Sequence, residues 1–293
     1  MITDLSGVNN TVLDYINWAT RYLDSYYVEN PRRNAEEIFS FVSNMERIQI
    51  YLEGRVKKLD KDIGEKFINL VKKRAEQRYP LQYIKGSTEF YGLKFLVSPG
   101  IFIPRLDTEI LVDTAIELIS LFNNKFLKLL EIGTGSGCIS VSLASKLSNI
   151  WITATDISTE AIELAKLNAL LNGVSGRIEF IQSDLFSGLP SISTYDIIIS
   201  NPPYIPTFEI EHLQKEISFE PLTALDGGVD GLFYIKKIIN QAPQYLSEYG
   251  ILIMEIGAGQ REKIEEMFYK SGFGKIDFIK DYQGIERVVI LKK

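Results

Sequence analysis

Residues 127–137 read LKLLEIGTGSG. The first six positions are mostly apolar, as in a strand buried on both faces of a sheet, and the glycines that follow allow a sharp turn. A glycine-rich turn before a helix brings backbone N–H groups close to a ligand. A dinucleotide site of the G-x-G-x-x-G type would need glycine at position 138, where Cys138 stands instead. The stretch predicts a strand, a turn and a helix that hold a nucleotide-like ligand on Gly133, Thr134, Gly135, Ser136 and Gly137.

From residue 125 to the end, strand-like apolar runs alternate with helical patterns. The runs are residues 127–132, 151–156, 178–184, 195–200, 250–256, 275–280 and 286–292. Helical patterns follow Gly137, Ser158, Asp230 and Gln260. This alternation predicts an α/β fold with a parallel, doubly wound sheet and helices on both faces. Ligands of such sheets bind at the carboxyl ends of the strands, so residues with a chemical role should directly follow the runs.

The residues before this region are helical in character. Apolar residues recur at helical spacing up to Pro80, and Asn34 with Glu37 forms a capping-box-like start for the second helix. Residues 88–103 are rich in aromatic and β-branched side chains, which indicates a hairpin. We therefore predict three parts: a helical bundle (1–84), a β-hairpin linker (85–105) and an α/β domain (106–293).

The composition excludes several classes of site. The chain has 293 residues, 45% of them hydrophobic and 24% charged, which suits a large domain with a smaller one. Cys138 is the only cysteine and His212 the only histidine, so disulfide frameworks, Cys or His metal sites and Ser-His triads are excluded, and no metal is expected. No apolar run reaches the ~20 residues of a membrane span. Residues 1–10 lack the features of a secretory signal, so we expect a cytoplasmic protein with no membrane partner.

Charge is distributed unevenly within a net charge of −6. Residues 1–90 carry 14 Lys and Arg against 13 Asp and Glu, whereas residues 91–293 carry 18 against 25. The net negative charge of residues 91–293 disfavours sequence-independent binding of nucleic acid over a large surface. Two basic groups in the first part predict either a solvated helix face or a docking face for an anionic partner: Arg55, Lys57 and Lys58, then Lys72, Lys73, Arg74 and Arg78.

Acidic residues follow the second and third strand runs. Asp156 comes 23 positions after Gly133, where a carboxylate can accept both hydroxyl groups of a ribose; its alternative role is to cap the next helix. Asp184-Leu185-Phe186 ends the third run, where an acid and an apolar side chain can hold and cover an adenine; the alternative role of Leu185 and Phe186 is to pack in the core. Ribose and adenine sites without a pyrophosphate loop predict S-adenosylmethionine as the cofactor, with S-adenosylhomocysteine as its product.

The fourth run leads directly into Asn201-Pro202-Pro203-Tyr204, the most specific element of the chain. The prolines restrict the backbone and leave the Pro202 carbonyl free of a helical or strand role. The Asn201 side-chain oxygen and that carbonyl can accept both hydrogens of one planar NH2 group, and Tyr204 can stack on its plane. Asn201 is also expected to contact the cofactor.

The proposed chemistry needs such an arrangement. An amide nitrogen is a poor nucleophile because its lone pair is delocalised, as the ~18–20 kcal/mol rotation barrier of a peptide amide shows. Two acceptors that favour a pyramidal nitrogen direct the lone pair toward a sulfonium methyl group, and correct placement supplies ~7–11 kcal/mol, so no histidine base is required. The residues predict an enzyme that methylates a planar nitrogen, with Asn201, Pro202 and Tyr204 as catalytic residues and Pro203 as a further substrate contact.

With these motifs the chain resembles the peptide-chain release factor glutamine N5-methyltransferases, also called HemK-like or PrmC-like. It departs from the family's pattern at Leu106, where a second proline is usual. The other matching segments are Gln82-Tyr83-Ile84 with Gly86, Glu89-Phe90-Tyr91-Gly92, Ile103-Pro104-Arg105, Asp107-Thr108-Glu109, Phe219-Glu220-Pro221, Ala224-Leu225, Gly227-Gly228, Asp230-Gly231, Glu255-Ile256-Gly257 with Gln260, and Gly284 with Arg287-Val288-Val289.

The resemblance implies a class I S-adenosylmethionine-dependent methyltransferase, with a Rossmann-like seven-stranded sheet and a small N-terminal helical domain that binds the substrate protein. It implies that the acceptor is the glutamine in the Gly-Gly-Gln loop of release factors, which act in translation termination. It also implies that Phe102 lies near the transferred methyl group, with Arg105, Thr108 and Glu109 shaping that wall. A monomer without stable nucleic-acid binding is expected.

Two alternative functions are open, one of them also an enzyme and the other a binding protein. A nucleic-acid N-methyltransferase acting on adenine N6 or guanine N2 shares the Asn-Pro-Pro-Tyr motif, but it would need a basic groove and a target-recognition domain. The other alternative is a catalytically silent S-adenosylmethionine-binding adaptor, against which Asn201, Tyr204 and Asp156 are all intact.

Overall fold

A computed structural model describes residues 11–122, 125–190 and 193–293. The chain separates into two compact units. Unit 1 contains the residues up to Gly86 together with Gln214–Phe219, and unit 2 contains Ser87–Leu213 and Glu220–Lys293. The expectation that no secretory signal is present concerns residues 1–10, which lie outside the described residues. In the part of the chain that is described, no helix is long and apolar enough to cross a membrane.

Unit 1 is built from short helices around an aromatic centre. Phe39 and Phe67 meet edge to face with ring centroids 5.4 Å apart, and both are fully buried. Thr11 caps the first helix with a complete capping box to Asp14. The helices are α1 (Val12–Ser25), α2 (Pro31–Ser43), α3 (Arg47–Glu53), α4 (Lys61–Glu76) and α5 (Leu81–Lys85).

The predicted capping box at Asn34 is wrong. Helix α2 begins at Pro31, with Asn30 as its N-cap residue, because proline suits a first helical position that needs no N–H donor. Asn34 lies inside the helix and is buried, and its Oδ1 accepts a hydrogen bond from Arg74 Nε at 2.9 Å. Glu37 instead pairs with two basic side chains, Arg33 and Lys85. Asn34 therefore joins two helices rather than starting one.

The segment Gln214–Phe219 comes from far along the chain but belongs to unit 1. Glu216 accepts hydrogen bonds or ion-pair contacts from Arg74 at 2.9 Å and from Arg78 at 2.8 Å. Phe219 packs edge to face on Tyr79 with centroids 5.0 Å apart. The sequence prediction did not foresee this segment, since nothing local in it signals a partner 142 positions away.

The two basic groups of unit 1 differ in their surroundings. Arg74 is 7% exposed, and Lys73 lies over the Tyr79 ring at 3.6 Å, so these members of the second group are occupied by contacts within the unit. The first group is exposed to solvent: Arg55, Lys57 and Lys58. The first group is therefore the more exposed of the two and the better candidate for a docking face.

Unit 2 opens with the predicted hairpin, formed by β1 (Ser87–Phe90) and β2 (Leu93–Leu96) in antiparallel register. Tyr91 and Gly92 make its two-residue turn, with φ of 54° and 71°. Positive φ at both central positions matches the right-handed twist of the flanking strands. Helix α6 (Glu109–Ser120) follows and was not predicted from the sequence.

A seven-stranded sheet forms the centre of unit 2, as predicted. Its strands are β3 (Leu127–Ile132), β4 (Ile150–Asp156), β5 (Ile178–Gln182), β6 (Tyr195–Ser200), β7 (Leu246–Glu255), β8 (Lys275–Lys280) and β9 (Glu286–Lys292), in the order β5-β4-β3-β6-β7-β9-β8. Between and after them lie α7 (Cys138–Lys146), α8 (Thr159–Leu171), α9 (Phe233–Tyr245) and α10 (Arg261–Phe268). These helices follow the glycine, serine, aspartate and glutamine predicted to precede them.

The sheet departs from the prediction of a wholly parallel arrangement. Strand β9 is antiparallel to both β7 and β8, while the other pairings are parallel. A tight turn at Asp281–Gly284 joins β8 to β9, with the Gly284 N–H donating to the Asp281 carbonyl at 3.0 Å. A connection this short can only reverse the chain, because a parallel return needs a crossover of a dozen or more residues. The sheet is therefore mixed.

Alternate residues of the strands face two separate apolar cores. Leu129 and Ile197 pack on the side that also contains residues of α6, α7 and α8. Leu130 and Ile198, one position further along each strand, pack on the side of α9 and α10. This confirms helices on both faces, and it leaves the carboxyl ends of the strands as the place for a site.

Candidate active site

A pocket lies at the carboxyl ends of four neighbouring strands, β5, β4, β3 and β6. The strand order reverses direction between β3 and β6, which is where open α/β sheets bind their ligands. The predicted site residues that line it are Phe102, Gly133, Thr134, Gly135, Ser136, Asp156, Asp184, Leu185, Asn201, Pro202, Pro203 and Tyr204. Among the predicted catalytic, substrate-binding and cofactor-binding residues, Gly137 is the one that does not line it.

The glycine turn after β3 has left-handed φ angles at Gly133 (73°), Gly135 (55°) and Gly137 (80°). At Gly133 and Gly135 no atom lies within 4 Å of the place where a Cβ would stand, so the backbone is open toward the pocket. At Gly137 an added Cβ would lie 3.0 Å from the Cβ of Ala165. Gly137 thus allows the start of α7 to approach α8 closely, which is a packing role.

Asp156 is the last residue of β4, and its carboxylate accepts hydrogen bonds from two loops. Its Oδ2 accepts from the Gly135 N–H at 2.8 Å, and its Oδ1 accepts from the Ser158 N–H at 2.9 Å. Burial raises the pKa of Asp156, and these backbone hydrogen bonds oppose the rise. The N-cap residue of α8 is Ser158 itself, whose hydroxyl accepts from Ala161. Each carboxylate oxygen retains a lone pair for a ligand hydroxyl group.

The turn after β5 separates a pocket residue from a core residue. Leu185 has a left-handed φ of 50°, and the Ser183 hydroxyl donates to its carbonyl at 2.8 Å. The exposed Asp184 and the half-buried Leu185 both line the pocket. Phe186, in contrast, is buried and stacks on Tyr245 with centroids 4.7 Å apart. The apolar cover of the pocket at this point is therefore Leu185 rather than Phe186.

The Asn-Pro-Pro-Tyr segment presents its polar groups to the same pocket. Asn201 Nδ2 donates to Thr108 Oγ1 at 3.0 Å, which leaves Asn201 Oδ1 for a ligand. Among the described residues, none donates to the Pro202 carbonyl. Tyr204 donates its hydroxyl to Glu255 Oε1 at 3.0 Å, and burial raises the pKa of Tyr204, so the phenol stays protonated. Two acceptors and one aromatic ring thus meet at one place.

Residues near the end of the chain hold the Tyr204 backbone. Gln260 Nε2 donates to the Tyr204 carbonyl at 3.0 Å, and Gln260 Oε1 accepts from the Gly257 N–H at 2.8 Å. At Gly231 an added Cβ would lie 2.3 Å from the Tyr204 carbonyl oxygen, so only glycine fits. Sequence reasoning placed Gln260, Gly257 and Gly231 in family-like segments without giving them a role, and their spacing alone carries no sign of one.

Phe102 lines the pocket, and the buried carboxylate of Glu220 holds the neighbouring backbone in place. Glu220 accepts from the Ile103 N–H at 3.1 Å and pairs with the Arg105 guanidinium, which lies 4.9 Å from the centre of the Phe102 ring. Burial raises the pKa of Glu220, against the lowering effect of Arg105. Of the three residues expected to shape this wall, Thr108 lines the pocket. Arg105 and Glu109 do not; Glu109 accepts from the backbone N–H of Tyr91 in the hairpin turn.

Two further carboxylates are buried beneath the site. Burial raises the pKa of Glu131 to about 7, although Ser140 and Thr134 donate to its Oε2 and lower it. Burial also raises the pKa of Glu255, and hydrogen bonds from Thr108 and Tyr204 oppose that rise. Among the described residues, no group of three or more His, Cys, Asp or Glu side chains could hold a metal ion.

Comparisons with known proteins show the family to which the chain belongs. Residues 92–217 match the family "Methyltransferase small domain", and residues 14–86 match the "PrmC N-terminal domain". The release factor glutamine methyltransferase of Fusobacterium nucleatum is 40% identical over 96% of this chain and 78% of its own length. That of Geobacter sulfurreducens is 39% identical over 95% of each chain. The hMettl16 catalytic domain, solved with the MAT2A 3'UTR hairpin 6, superposes with a TM-score of 0.58 over 86% of this chain and 91% of its own; at 16% identity this likeness concerns the fold alone.

Proposed function

The chain belongs to the release factor glutamine methyltransferase family, and we propose that it methylates the side-chain amide of the glutamine in the Gly-Gly-Gln loop of a peptide-chain release factor. It is a methyltransferase by its matched domain and by the relatives it resembles over most of its length. Because release factors act in translation, we also propose that the reaction takes place in the cytoplasm.

The pocket fits S-adenosylmethionine. Its glycine turn is open at Gly133 and Gly135, where any side chain would narrow the space above the backbone. Asp156 offers free lone pairs for ribose hydroxyls, and Asp184 with Leu185 supplies a polar edge and an apolar cover for an adenine. When bound, S-adenosylmethionine supplies an electrophilic methyl group on a sulfonium sulfur.

The acceptor amide is oriented by this chain's own groups. Asn201 Oδ1 and the Pro202 carbonyl accept the two N–H hydrogens of the substrate, and this favours a pyramidal nitrogen with an exposed lone pair. Tyr204, anchored through its hydroxyl, covers the plane of the amide. Pro203 and Phe102 complete the apolar surroundings and exclude water. Such placement lowers the barrier by ~7–11 kcal/mol, so no base is needed during the transfer, and the methylated nitrogen loses its extra proton to water or a relay afterwards.

A single observation carries the proposal: the two acceptors of the Asn-Pro-Pro-Tyr segment open into the same pocket as the glycine turn and Asp156. A site for a planar NH2 group beside a site for an adenosine is the arrangement that direct methyl transfer requires. An adaptor that only bound the cofactor would have no use for the acceptor half.

The experiment offers release factor, DNA and RNA side by side to the enzyme with S-adenosylmethionine carrying a tritiated methyl group. We expect label on the release factor, and mass spectrometry of its tryptic fragments should place one methyl group on the Gly-Gly-Gln glutamine. The matched control is a release factor with that glutamine replaced by asparagine. Preferential labelling of either nucleic acid, or equal labelling of the control, would contradict the proposal.

We propose that unit 1 binds the release factor at a surface distant from the reacting glutamine. Its exposed basic group, Arg55 with Lys57 and Lys58, suits an anionic surface, while the described part of unit 2 carries the whole pocket. Contacts remote from the reacting atoms orient a substrate and therefore affect the rate as well as the affinity. The proposal keeps the three predicted parts of the chain: a helical substrate-binding domain (1–84), a β-hairpin linker (85–105) and the methyltransferase domain (106–293).

A further inference from the structure

The side chain of Asn168 on α8 binds two separate segments of unit 2. Its Oδ1 accepts from the Leu96 N–H at 2.7 Å, and its Nδ2 donates to the Leu96 carbonyl at 3.0 Å. The same Nδ2 donates its other hydrogen to the Ser136 carbonyl at 2.8 Å. Asn168 is fully buried, so water does not compete for these bonds. One side chain thus joins strand β2 to the glycine turn.

The two bonds to Leu96 complete the outer edge of the hairpin. Among the described strands, β2 pairs only with β1, so the other edge of β2 needs donors and acceptors from elsewhere. Asn168 supplies them at Leu96, and Asn172, one turn later on α8, donates to the Lys94 carbonyl at 3.0 Å. The bond to Ser136 has no part in this edge. It is the contact that distinguishes Asn168 from Asn172.

The two segments that Asn168 joins lead to different halves of the pocket. Ser136 lies in the glycine turn and lines the cofactor half. Phe102, which is proposed to complete the substrate half, lines the pocket a short way along the chain from Leu96. Between them, Ile101 is buried against α8 in the same small apolar cluster as Leu96. Asn168 and Leu96 do not line the pocket themselves.

We propose that Asn168 is a positioning residue for methyl transfer, which holds the glycine turn and the segment leading to Phe102 in a fixed relation to each other. This inference rests on the proposed function, because it concerns the placement of the methyl donor relative to its acceptor. A small misplacement of reacting groups lowers the rate strongly. The same link predicts that a ligand at the glycine turn affects the Leu96 backbone, which lines no part of the pocket.

An amide is the side-chain group that these three bonds require. The Leu96 N–H can only donate and the two carbonyls can only accept, so the bonds need one acceptor and two hydrogens on a single side chain. Asparagine has both, and the three partners fix the orientation of its amide. Aspartate has at most one hydrogen, even when it is protonated, and leucine has none.

The first test replaces Asn168 by aspartate, which keeps the acceptor for the Leu96 N–H and leaves at least one of the two carbonyls without a donor. We expect kcat for release factor methylation to fall about tenfold or more, with a smaller change in KM for S-adenosylmethionine. Asn172→Asp is the matched control. It makes the same chemical change on the same helix and removes a bond to the same strand, but it does not touch the glycine turn. Its kcat should stay within about twofold of the parent.

A second control separates positioning from stability. Phe90→Leu removes part of the buried contact between the Phe90 and Phe95 rings, whose centroids are 6.0 Å apart, and leaves Asn168 and its partners unchanged in sequence. Urea unfolding compares the stability of this variant with that of Asn168→Asp. Folded Phe90→Leu should turn over near the parent rate. A fall in kcat as large as that of Asn168→Asp, at equal stability, would show that Asn168 acts through stability alone.

Hydrogen exchange of the parent protein tests the link without any turnover. With S-adenosylhomocysteine bound, the Leu96 amide should exchange several-fold more slowly, because a ligand that fixes the turn also fixes Asn168 through Ser136. The Phe95 amide is the control, since Phe95 is paired with Thr88 inside the hairpin and should respond much less. In Asn168→Asp the two amides should respond alike.

The two kinds of readout separate this inference from the proposed function. If the parent does not methylate the release factor but S-adenosylhomocysteine slows exchange at Leu96 more than at Phe95, the proposed function fails and the link stands. If the parent methylates the release factor while Leu96 and Phe95 respond alike, the inference is overturned and the proposed function stands. An Asn168→Asp enzyme with kcat within about twofold of the parent would overturn the inference as well.

Discussion

The backbone N–H of Gly135 donates to Oδ2 of Asp156 over 2.8 Å. This hydrogen bond joins the glycine turn after β3 to the end of β4, so the carboxylate that faces the pocket also shapes the turn. Neighbouring parallel strands make the contact possible, since Ile132 is paired with Thr155 and the next residues leave the sheet together. Cofactor affinity should therefore depend on Asp156 in two ways, through ligand contact and through the turn.

Replacing Asp156 by alanine should weaken S-adenosylmethionine binding by roughly tenfold to a hundredfold. A charge-assisted hydrogen bond contributes ~1.5–3 kcal/mol, and its loss acts together with a looser turn. Isothermal calorimetry measures the change. Asp196→Ala is the control, because Asp196 also accepts a backbone N–H beside β3, from Lys128, but does not line the pocket. Unchanged affinity in a folded Asp156→Ala protein would reduce Asp156 to a structural role.

Replacing Asn201 by alanine should abolish turnover while S-adenosylmethionine binding largely survives. One of two acceptors for the substrate NH2 group is lost, which costs ~1–3 kcal/mol before any loss of orientation. Single-turnover methylation of release factor, together with calorimetry, separates the two effects. Asn172→Ala serves as the control, since Asn172 binds the Lys94 carbonyl outside the pocket. A methylation rate near that of the parent would refute the assignment of Asn201.

Glu131 should make unit 2 less stable as the pH rises. Its pKa is about 7 in the folded protein and 4.5 in the unfolded chain, so between these values the folded state binds more protons than the unfolded state. Stability is then lost with rising pH, by about 2–3 kcal/mol between about pH 5 and pH 8. Glu131→Gln should lack this loss.

The measurement is the difference in urea unfolding free energy between the parent and Glu131→Gln at the two pH values. In a Trp18→Phe background, Trp151 on β4 is the remaining tryptophan and reports on unit 2. Glu163→Gln on α8 is the control, since Glu163 is largely exposed. A difference that does not change with pH would show that Glu131 is ionised in the folded protein throughout this range.

The exposed basic group of unit 1 should matter for intact release factor and not for a short peptide. Replacing Lys57 and Lys58 by alanine should raise KM for the protein several-fold at low salt, and the effect should shrink at high salt because exposed charges are screened. A Gly-Gly-Gln peptide should be used equally by both forms. Lys270 and Lys275 in unit 2, also exposed, provide the control pair. Charge substitution is preferable to deleting unit 1, because deletion would leave Gln214–Phe219 without the residues it packs on.

The sequence by itself determined the fold class and most of the pocket. A strand can be recognised from a local pattern of apolar residues, and LKLLEI, YDIIIS, KIDFIK and ERVVILK are strands with the predicted bounds. Once parallel strands are recognised, their carboxyl ends must lie along one edge, so the residues that follow them are brought together. Twelve predicted site residues line one pocket for this reason.

Only the tertiary structure decided which side chains act on one another. Thr108 and Asn201 are 93 positions apart, Tyr204 and Glu255 are 51 apart, and Arg74 and Glu216 are 142 apart. The buried role of Asn34 and the reversed direction of β9 were likewise invisible to local patterns. A hydrogen bond depends on a distance of about 3 Å and on the direction of the donor. Spacing along the chain carries no information on that distance until the sheet has brought separate segments side by side.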